Sequence, residues 1–92
     1  MRAHAATTIT NLTGMHALTA SKFAQKAATF SSDITLEAND KTCNAKSTVE
    51  LLSMGIIYQT EVLISADGDD AKQAVAALKA MIDSQFGEES YD

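Results

Sequence analysis

The feature that most constrains the fold is the strict alternation of polar and apolar residues in Asp33–Ala38. Successive side chains of an extended strand point to opposite faces, so every second residue from Ile34 onward falls on one side. Such a strand buries one face and exposes the other, which is typical of an antiparallel sheet covered on a single side. The turn signal Asn39-Asp40 follows, and residues 41–45 return as a short polar edge strand. The sequence therefore predicts a β-hairpin with one buried face.

In the rest of the chain, segments with the two-residue repeat of a strand alternate with segments that have the 3.6-residue repeat of a helix. Residues 7–12 are rich in β-branched side chains and residues 60–66 alternate, so both are predicted strands. Residues 17–29, 47–54 and 70–86 carry apolar residues at helical spacing instead. The predicted order is β-α-β-β-α-β-α, which favours an α+β fold. We expect an open-faced β-sandwich, in which three helices cover one face of a four-stranded antiparallel sheet.

Polar residues mark the starts of the second and third predicted helices. Ser47 and Glu50 have the spacing of a capping box, and Gly55 is a natural stop for the short helix that follows. Asp69 or Asp70 caps the third helix, Asp70 with Gln73 as its box partner, and Gly87 ends it. The expected apolar surface of the short helix comprises Val49, Leu51, Leu52 and Met54. The expected buried stripe of the third helix comprises Ala71, Ala74, Val75, Leu78, Met81, Ile82 and Phe86.

Length and charge limit the classes of function. A chain of 92 residues forms one small domain, residues 1–92, for which we expect flexible ends at residues 1–5 and 88–92. A formal net charge of −5 argues against nucleic acid as the main partner. Neither a membrane-spanning stretch nor a signal-peptide pattern is evident, so we expect no membrane insertion and a cytoplasmic location.

The chain offers little that could bind a metal or a cofactor. Its one cysteine, Cys43, cannot form an internal disulfide and lies in a strand-like run without a second ligand at metal-binding spacing. We interpret it as a small apolar strand residue. His4 lies near the N-terminus with no partner close in sequence, so no function is assigned to it. We expect neither a metal site nor a cofactor.

His16 is the residue in this sequence best placed for chemistry. It lies between Gly14 and an amphipathic helix, where the first backbone N–H groups of the helix have no intrahelical partners and carry a partial positive charge. A neutral imidazole nitrogen can attack phosphorus, and the N–H groups beside it form an anion site for the phosphoryl oxygens. A histidine near a helix start is also often only a local cap or a solvated side chain. Position alone therefore leaves both interpretations open.

The residues around His16 resemble a known family. Gly14-Met15-His16-Ala17 precedes a small-residue helix, and Ala45-Lys46-Ser47 and Met54-Gly55-Ile56 follow downstream. This arrangement is similar to HPr, the histidine-containing phosphocarrier family of the bacterial sugar phosphotransferase system, from about residue 7 to about residue 82. The resemblance implies an open-faced sandwich, a monomer, and a phosphoryl group received on His16 from enzyme I and passed to an enzyme II component. It implies a carrier protein rather than a turnover enzyme.

Two positions depart from the family pattern. Leu18 stands where the family usually has arginine, and Thr19 where it usually has proline. Leucine supplies neither the charge nor the forked hydrogen bonds that a guanidinium offers to phosphate. We therefore expect backbone N–H groups of Ala17, Leu18 and Thr19, together with the hydroxyl of Thr19 or Ser21, to stabilise the phosphate.

The resemblance also implies a docking surface and a regulatory site. Docking of partners is expected at residues of the first two helices: Leu18, Lys22, Lys26, Thr48, Leu52, Met54 and Gly55. Ser47 resembles the serine that a dedicated kinase/phosphorylase modifies in HPr proteins of some bacteria. From the sequence alone, without the resemblance, a helix cap is the favoured explanation of Ser47.

Two other classes of function stay open at this stage. One is a regulatory HPr-like paralogue that docks on a protein partner while another carrier serves sugar transport. The other is an accessory binding module in which His16 is not phosphorylated. The leucine at position 18 favours these alternatives, whereas Gly14, His16, Ala17 and Ala20 favour phosphotransfer.

Overall fold

The computed structural model describes residues 1–87 and has the predicted order of elements. The four strands form one antiparallel sheet in the order β1-β4-β2-β3. None of the helices in residues 1–87 is long and apolar enough to span a membrane. The predicted flexible end at residues 88–92 lies outside the described residues, and the domain boundary at 1–92 stays a prediction. The elements are β1 (Arg2–Thr8), α1 (Ala17–Ala28), β2 (Asp33–Ala38), β3 (Lys41–Asn44), α2 (Thr48–Leu52), β4 (Glu61–Asp67), α3 (Ala71–Asp83) and a 3-10 turn (Gln85–Gly87).

The core lies between one face of the sheet and the helices, which confirms the predicted open-faced sandwich. Alternate residues of β2 and β4 are buried, and Leu36 and Ile64 pair across the two strands at its centre. Phe23 of α1 and Leu78 of α3 are fully buried against this face. Cys43 is buried in β3, and burial raises the pKa of its thiol. It therefore has the environment of a small apolar strand residue.

The first strand lies earlier in the chain than predicted. β1 pairs with β4 from Arg2 opposite Asp67 to Thr8 opposite Glu61, so residues 2–5 belong to the sheet and do not form the expected flexible end. Residues 3–6 are rich in alanine, which has low β-propensity, and the local sequence gives no strand signal there. The strand is specified by its pairing with β4 and by its packing against α3.

Of the four residues expected to form the apolar surface of α2, two are buried and two are exposed. Leu51 is fully buried and Met54 nearly so, but Val49 is 77% exposed and Leu52 43% exposed. A helix of five residues makes little more than one turn, so only one of its side chains faces the core, and in α2 that residue is Leu51.

The predicted capping box at the start of α2 is half correct. The Glu50 N–H donates to Ser47 Oγ at 3.2 Å, as expected for a cap. The Glu50 carboxylate does not return to the Ser47 N–H, because it accepts from the Asn44 N–H at 3.1 Å and Ser47 N–H donates to the Asn44 carbonyl. Glu50 therefore ties α2 to the end of β3 rather than closing its own helix start.

Asp70 precedes α3 but does not cap it with its side chain, so the predicted pairing with Gln73 is wrong. The carboxylate instead accepts from the backbone N–H groups of Ser31 at 2.8 Å and Ser32 at 3.0 Å, and from the Ser32 hydroxyl. These bonds, of which the one from the Ser32 side chain is the strongest influence, lower the pKa of Asp70 to about 2. Asp70 therefore joins the loop after α1 to the start of α3, a contact between residues far apart in sequence.

The last helix ends earlier than predicted. α3 stops at Asp83, and Phe86 lies beyond it in the 3-10 turn with a φ of 58°. Its side chain is still buried, as the apolar stripe predicts, because the turn packs back against α1. The Phe86 carbonyl accepts from Lys22 Nζ at 3.5 Å.

We predict that Asp70→Asn lowers the stability of the protein at pH 7. An amide has a single acceptor oxygen and no charge, so it loses the hydrogen bond at the position of its NH2 group and weakens the others. The folded pKa of about 2 lies below the unfolded value of about 3.9. The stabilisation by Asp70 is therefore complete above about pH 4 and is lost as pH falls through the folded pKa. Urea unfolding should be measured for wild type and Asp70→Asn between pH 7 and pH 2. The difference between their free energies of unfolding should shrink below about pH 4.

Asp69→Asn is the matched control, since it removes the same charge from the neighbouring exposed residue. It should change stability much less at pH 7. A difference between wild type and Asp70→Asn that stays constant down to pH 2 would contradict the ionic contribution of Asp70.

Candidate functional site

The loop before α1 is pressed against the loop that follows α2. The Met15 N–H donates to the Ile56 carbonyl at 3.0 Å, and Gly14 has a φ of +66°. A Cβ atom at Gly14 would lie 2.8 Å from both the Ile56 carbonyl oxygen and the Ile57 Cα. Only glycine fits this approach of two backbones at a positive φ. Gly14 therefore fixes where the chain enters α1.

The side chain of Asn11 forms hydrogen bonds within the same loop. Its side chain is buried, and its Nδ2 donates to the Gly14 carbonyl at 2.8 Å and to Thr13 Oγ1 at 3.2 Å. This residue was not identified from the sequence. The available signal was an asparagine three residues before a glycine at the end of a strand-like run, a pattern typical of turns in which a side-chain amide binds nearby backbone.

His16 occupies the N-cap position of α1 in an extended conformation with a φ of −99°. Its Nδ1 atom accepts from the Leu18 N–H at 3.2 Å. A nitrogen that accepts a hydrogen bond carries its lone pair there, so the neutral imidazole has its proton on Nε2. The side chain is partly exposed. The structure thus places a nucleophilic lone pair at the positive end of a helix, where partners can reach the ring.

Thr19 closes a capping box with His16. The box pairs the His16 side chain with the Thr19 backbone, and Thr19 Oγ1 accepts from the His16 N–H at 3.0 Å. The hydroxyl also donates to the Gly14 carbonyl at 3.1 Å, and the side chain is fully buried. The hydroxyl therefore lies inside the loop, which differs from the expectation that it binds a phosphate. A role for the Thr19 backbone stays a prediction, as it does for Ala17 and Leu18.

Helices α1 and α2 pack against each other and leave apolar side chains exposed. We give the name α1–α2 surface to the predicted docking residues that are at least partly exposed, together with Val49; among them Thr48 is half-buried. Met54, predicted as a docking residue, is 3% exposed and belongs to the core, whereas the exposed Val49 was missed because its helical spacing suggested burial. The α1–α2 surface comprises Leu18, Lys22, Lys26, Thr48, Val49, Leu52 and Gly55.

The charge of the α1–α2 surface differs from that of the whole chain. Helix α1 contains Lys22 and Lys26 and no acidic residue, although the formal net charge of the protein is −5. Both lysines are exposed. Glu50 of α2 is exposed as well, so the positive charge is confined to the α1 side. On that side apolar side chains combine with a local positive charge, a combination that suits an acidic partner surface with an apolar centre.

Ser47 and His4 lie in different parts of the structure. Ser47 is partly buried at the start of α2, where its hydroxyl accepts from the Glu50 N–H. His4 lies in β1 opposite Ser65, on the face of the sheet that the helices leave uncovered. Within residues 1–87, no group of three or more histidine, cysteine or acidic side chains is arranged to hold a metal ion.

Comparison with known proteins relates this site to one family. The family model described as "PTS HPr component phosphorylation site" matches residues 3–84. The phosphocarrier protein HPr of Mycoplasma capricolum subsp. capricolum is 48% identical over 77 residues, which cover 83% of this chain and 86% of that protein. The crystal structure of HPr-C-His from Thermoanaerobacter tengcongensis superimposes with a TM-score of 0.91 at 42% identity, covering 96% and 99% of the two chains.

A second structure from that organism, described as an HPr dimer, superimposes with a TM-score of 0.75 at 45% identity. It covers 87% of this chain and 92% of that chain.

Proposed function

This chain belongs to the HPr family, the phosphocarrier proteins of the sugar phosphotransferase system, and from that premise we propose that His16 is its phosphoacceptor. The family consists of carriers rather than turnover enzymes. The observation that carries the proposal is the acceptor bond at Nδ1, which directs the lone pair of His16 toward the first N–H groups of α1. Those groups are the donors that phosphoryl oxygens require.

The transfer step follows from this geometry. The Nδ1 lone pair attacks the phosphorus atom of phosphorylated enzyme I, and the Nδ1–P bond forms as the bond to the donor atom breaks. The donor atom keeps the electron pair of the broken bond, and the Nε2 proton of His16 need not move. The Leu18 N–H, which binds Nδ1 before transfer at 3.2 Å, then becomes available to a phosphoryl oxygen. Transfer to an enzyme II component reverses these bond changes.

The α1–α2 surface is the proposed docking site for enzyme I and enzyme II components. Leu18, Val49 and Leu52 supply exposed apolar area, and the two lysines of α1 attract acidic partners. We further propose that the protein works in the cytoplasm, as a single domain and as a monomer. In a monomer the α1–α2 surface stays accessible to successive partners.

Two observations bear on the alternative functions. The absence of arginine at position 18 favours a regulatory paralogue, because such a protein needs docking more than fast transfer. The capping box that orients His16 favours phosphotransfer over an accessory module, because a binding module would not need an ordered imidazole. We therefore place the phosphocarrier function first.

We predict that incubation with enzyme I and phosphoenolpyruvate adds one acid-labile phosphoryl group, detected by intact mass, because a phosphoramidate hydrolyses in acid. His16→Ala should remove this modification completely. His4→Ala is the control, since it removes the other histidine from the uncovered face of the sheet and should leave the modification unchanged. Equal phosphorylation of His16→Ala and wild type would contradict the assignment, and no modification of wild type would favour the two alternatives.

Leu18 separates this chain from its relatives most clearly. Its side chain is 58% exposed at the second position of α1, beside the N–H groups proposed to hold the phosphate. A guanidinium at this position would place charge-assisted donors within reach of the phosphoryl oxygens. Such bonds are worth about 1.5–3 kcal/mol where water is partly excluded and less on an open surface.

We predict that Leu18→Arg accelerates transfer from enzyme I of an unrelated bacterium roughly tenfold, the factor that corresponds to about 1.4 kcal/mol. Leu63→Arg adds the same charge to the sheet face away from the helices and should give no gain. The rates should also be measured with enzyme I of the source organism. A loss there with a gain for the unrelated enzyme would identify Leu18 as an adaptation to an apolar partner pocket. No gain with either enzyme would contradict a missing electrostatic contact.

We propose that Ser47 is a regulatory phosphorylation site for a serine kinase/phosphorylase. Its hydroxyl lies at the N-terminus of α2, where a phosphate charge of about −1.5 to −2 is tolerated by the helix dipole. The modification would place negative charge next to Thr48 on the α1–α2 surface. It should therefore change docking rather than folding.

We predict that Ser47→Asp weakens binding to enzyme I, with the larger effect at low ionic strength because the added repulsion is screened by salt. Thermal stability should change little, since aspartate is as good a helix cap as serine. Ser84→Asp is the control, because it adds the same charge to an exposed residue outside the α1–α2 surface. The proposal fails if titration calorimetry gives the same affinity for Ser47→Asp and wild type.

A further inference from the structure

The buried hydroxyl of Thr19 connects Gly14, at the start of the loop that carries His16, to the first turn of α1. Besides the two bonds described next, its Oγ1 lies 3.4 Å from the His16 carbonyl, a longer alternative acceptor. Thr19 Oγ1 accepts from the His16 N–H at 3.0 Å and donates to the Gly14 carbonyl at 3.1 Å. The same carbonyl accepts from Asn11 Nδ2 at 2.8 Å. The backbone on both sides of His16 is thus held by side chains that are themselves buried, because Thr19 is 0% and Asn11 2% exposed.

These bonds differ in kind from those that the imidazole accepts from the backbone N–H groups of Leu18 and Thr19. The bond from the Leu18 N–H ends on Nδ1, so it must be released when Nδ1 forms a bond to phosphorus. The bonds of the Thr19 hydroxyl end on backbone atoms of His16 and Gly14, so phosphorylation of the ring leaves them intact. They can hold the histidine in place before and after transfer.

We infer that Thr19 is a positioning residue for phosphotransfer: its hydroxyl fixes the His16 backbone, and thereby keeps Nδ1 unprotonated and directed at the start of α1. This role rests on the proposed function of His16. Proline, the usual residue at this position in the family, has neither a hydroxyl nor a backbone N–H, so it cannot make the capping box found here. The positioning is therefore a property of this chain's own threonine.

The competing interpretation is that Thr19 only stabilises the fold. Removing a buried hydroxyl leaves the His16 N–H and one lone pair of the Gly14 carbonyl without that partner, which lowers stability wherever it occurs. The experiment must therefore measure the imidazole itself. The ¹⁵N chemical shifts of the His16 ring report which nitrogen carries the proton, and general stability does not change them.

The test compares Thr19→Val, which keeps the shape and loses the hydroxyl, with Thr19→Ser, which keeps the hydroxyl and loses a methyl group. Ser32→Ala is the control, because it removes another buried hydroxyl, the one bound to Asp70 rather than to the His16 loop. At about pH 8, where a free imidazole is neutral, wild type should have an unprotonated Nδ1. Thr19→Val should show a mixture of imidazole tautomers at His16. It should also accept the phosphoryl group from enzyme I about tenfold more slowly than wild type. Thr19→Ser and Ser32→Ala should match wild type in both measurements.

Three results would overturn the inference. The first is that Thr19→Val has the ¹⁵N shifts and the transfer rate of wild type. The second is that Thr19→Ser is impaired as much as Thr19→Val. The third is that Ser32→Ala loses as much transfer rate as Thr19→Val. Amide exchange decides the case in which Thr19→Val does not fold. The His16 amide of wild type should be protected, and exchange as fast as in an unfolded chain would exclude the bond. If wild type is not phosphorylated at all, the proposed function fails, while the tautomer change in Thr19→Val still tests the positioning.

Discussion

The close approach of the Gly14 backbone to Ile56 and Ile57 is the contact on which the site depends. It brings the loop after β1 against the loop before β4, next to the place where these two strands pair. The Met15 N–H bond to the Ile56 carbonyl then directs the chain into α1, so His16 arrives at the helix start with its backbone already fixed. The site is consequently formed by tertiary packing between two loops rather than by the helix alone.

The sequence predicted the elements whose signals are local and missed those that depend on distant partners. The alternation through Leu36 and Ile64 identified both central strands, because each strand has one buried face. The alanine-rich β1 has no such signal and is specified by pairing with β4. Asp70 was placed correctly next to α3, but its bonds to the loop after α1 join residues 38 and 39 positions apart and could not be deduced from helix-capping rules.

The candidate site shows the same division. His16 and the start of α1 followed from the residue pattern, and the family resemblance favoured phosphotransfer over a simple helix cap. The inward orientation of the Thr19 hydroxyl did not follow, since a threonine in the first turn can equally face solvent. Val49 was missed for the opposite reason: helical spacing favours burial, but α2 is five residues long and buries only Leu51. A short helix held by its cap and one buried leucine leaves its other apolar residues for partners.

On the proposed function, leucine rather than arginine at position 18 changes which physical effect must stabilise a phosphoryl group on His16. A guanidinium would supply mobile charge that adapts to the phosphate after transfer. Without it, the proposed donors are backbone N–H groups, whose positions are set by the loop before transfer and cannot adapt. Fixed donors are effective only when the acceptor ring is held in the correct orientation, because a displacement of about 1 Å can lower a rate by two orders of magnitude. A hydroxyl that ties the His16 backbone to Gly14 meets this requirement. The two proposals therefore depend on each other: Leu18 offers no charged donor, and the inferred role of Thr19 is to supply the rigidity that reliance on backbone donors demands.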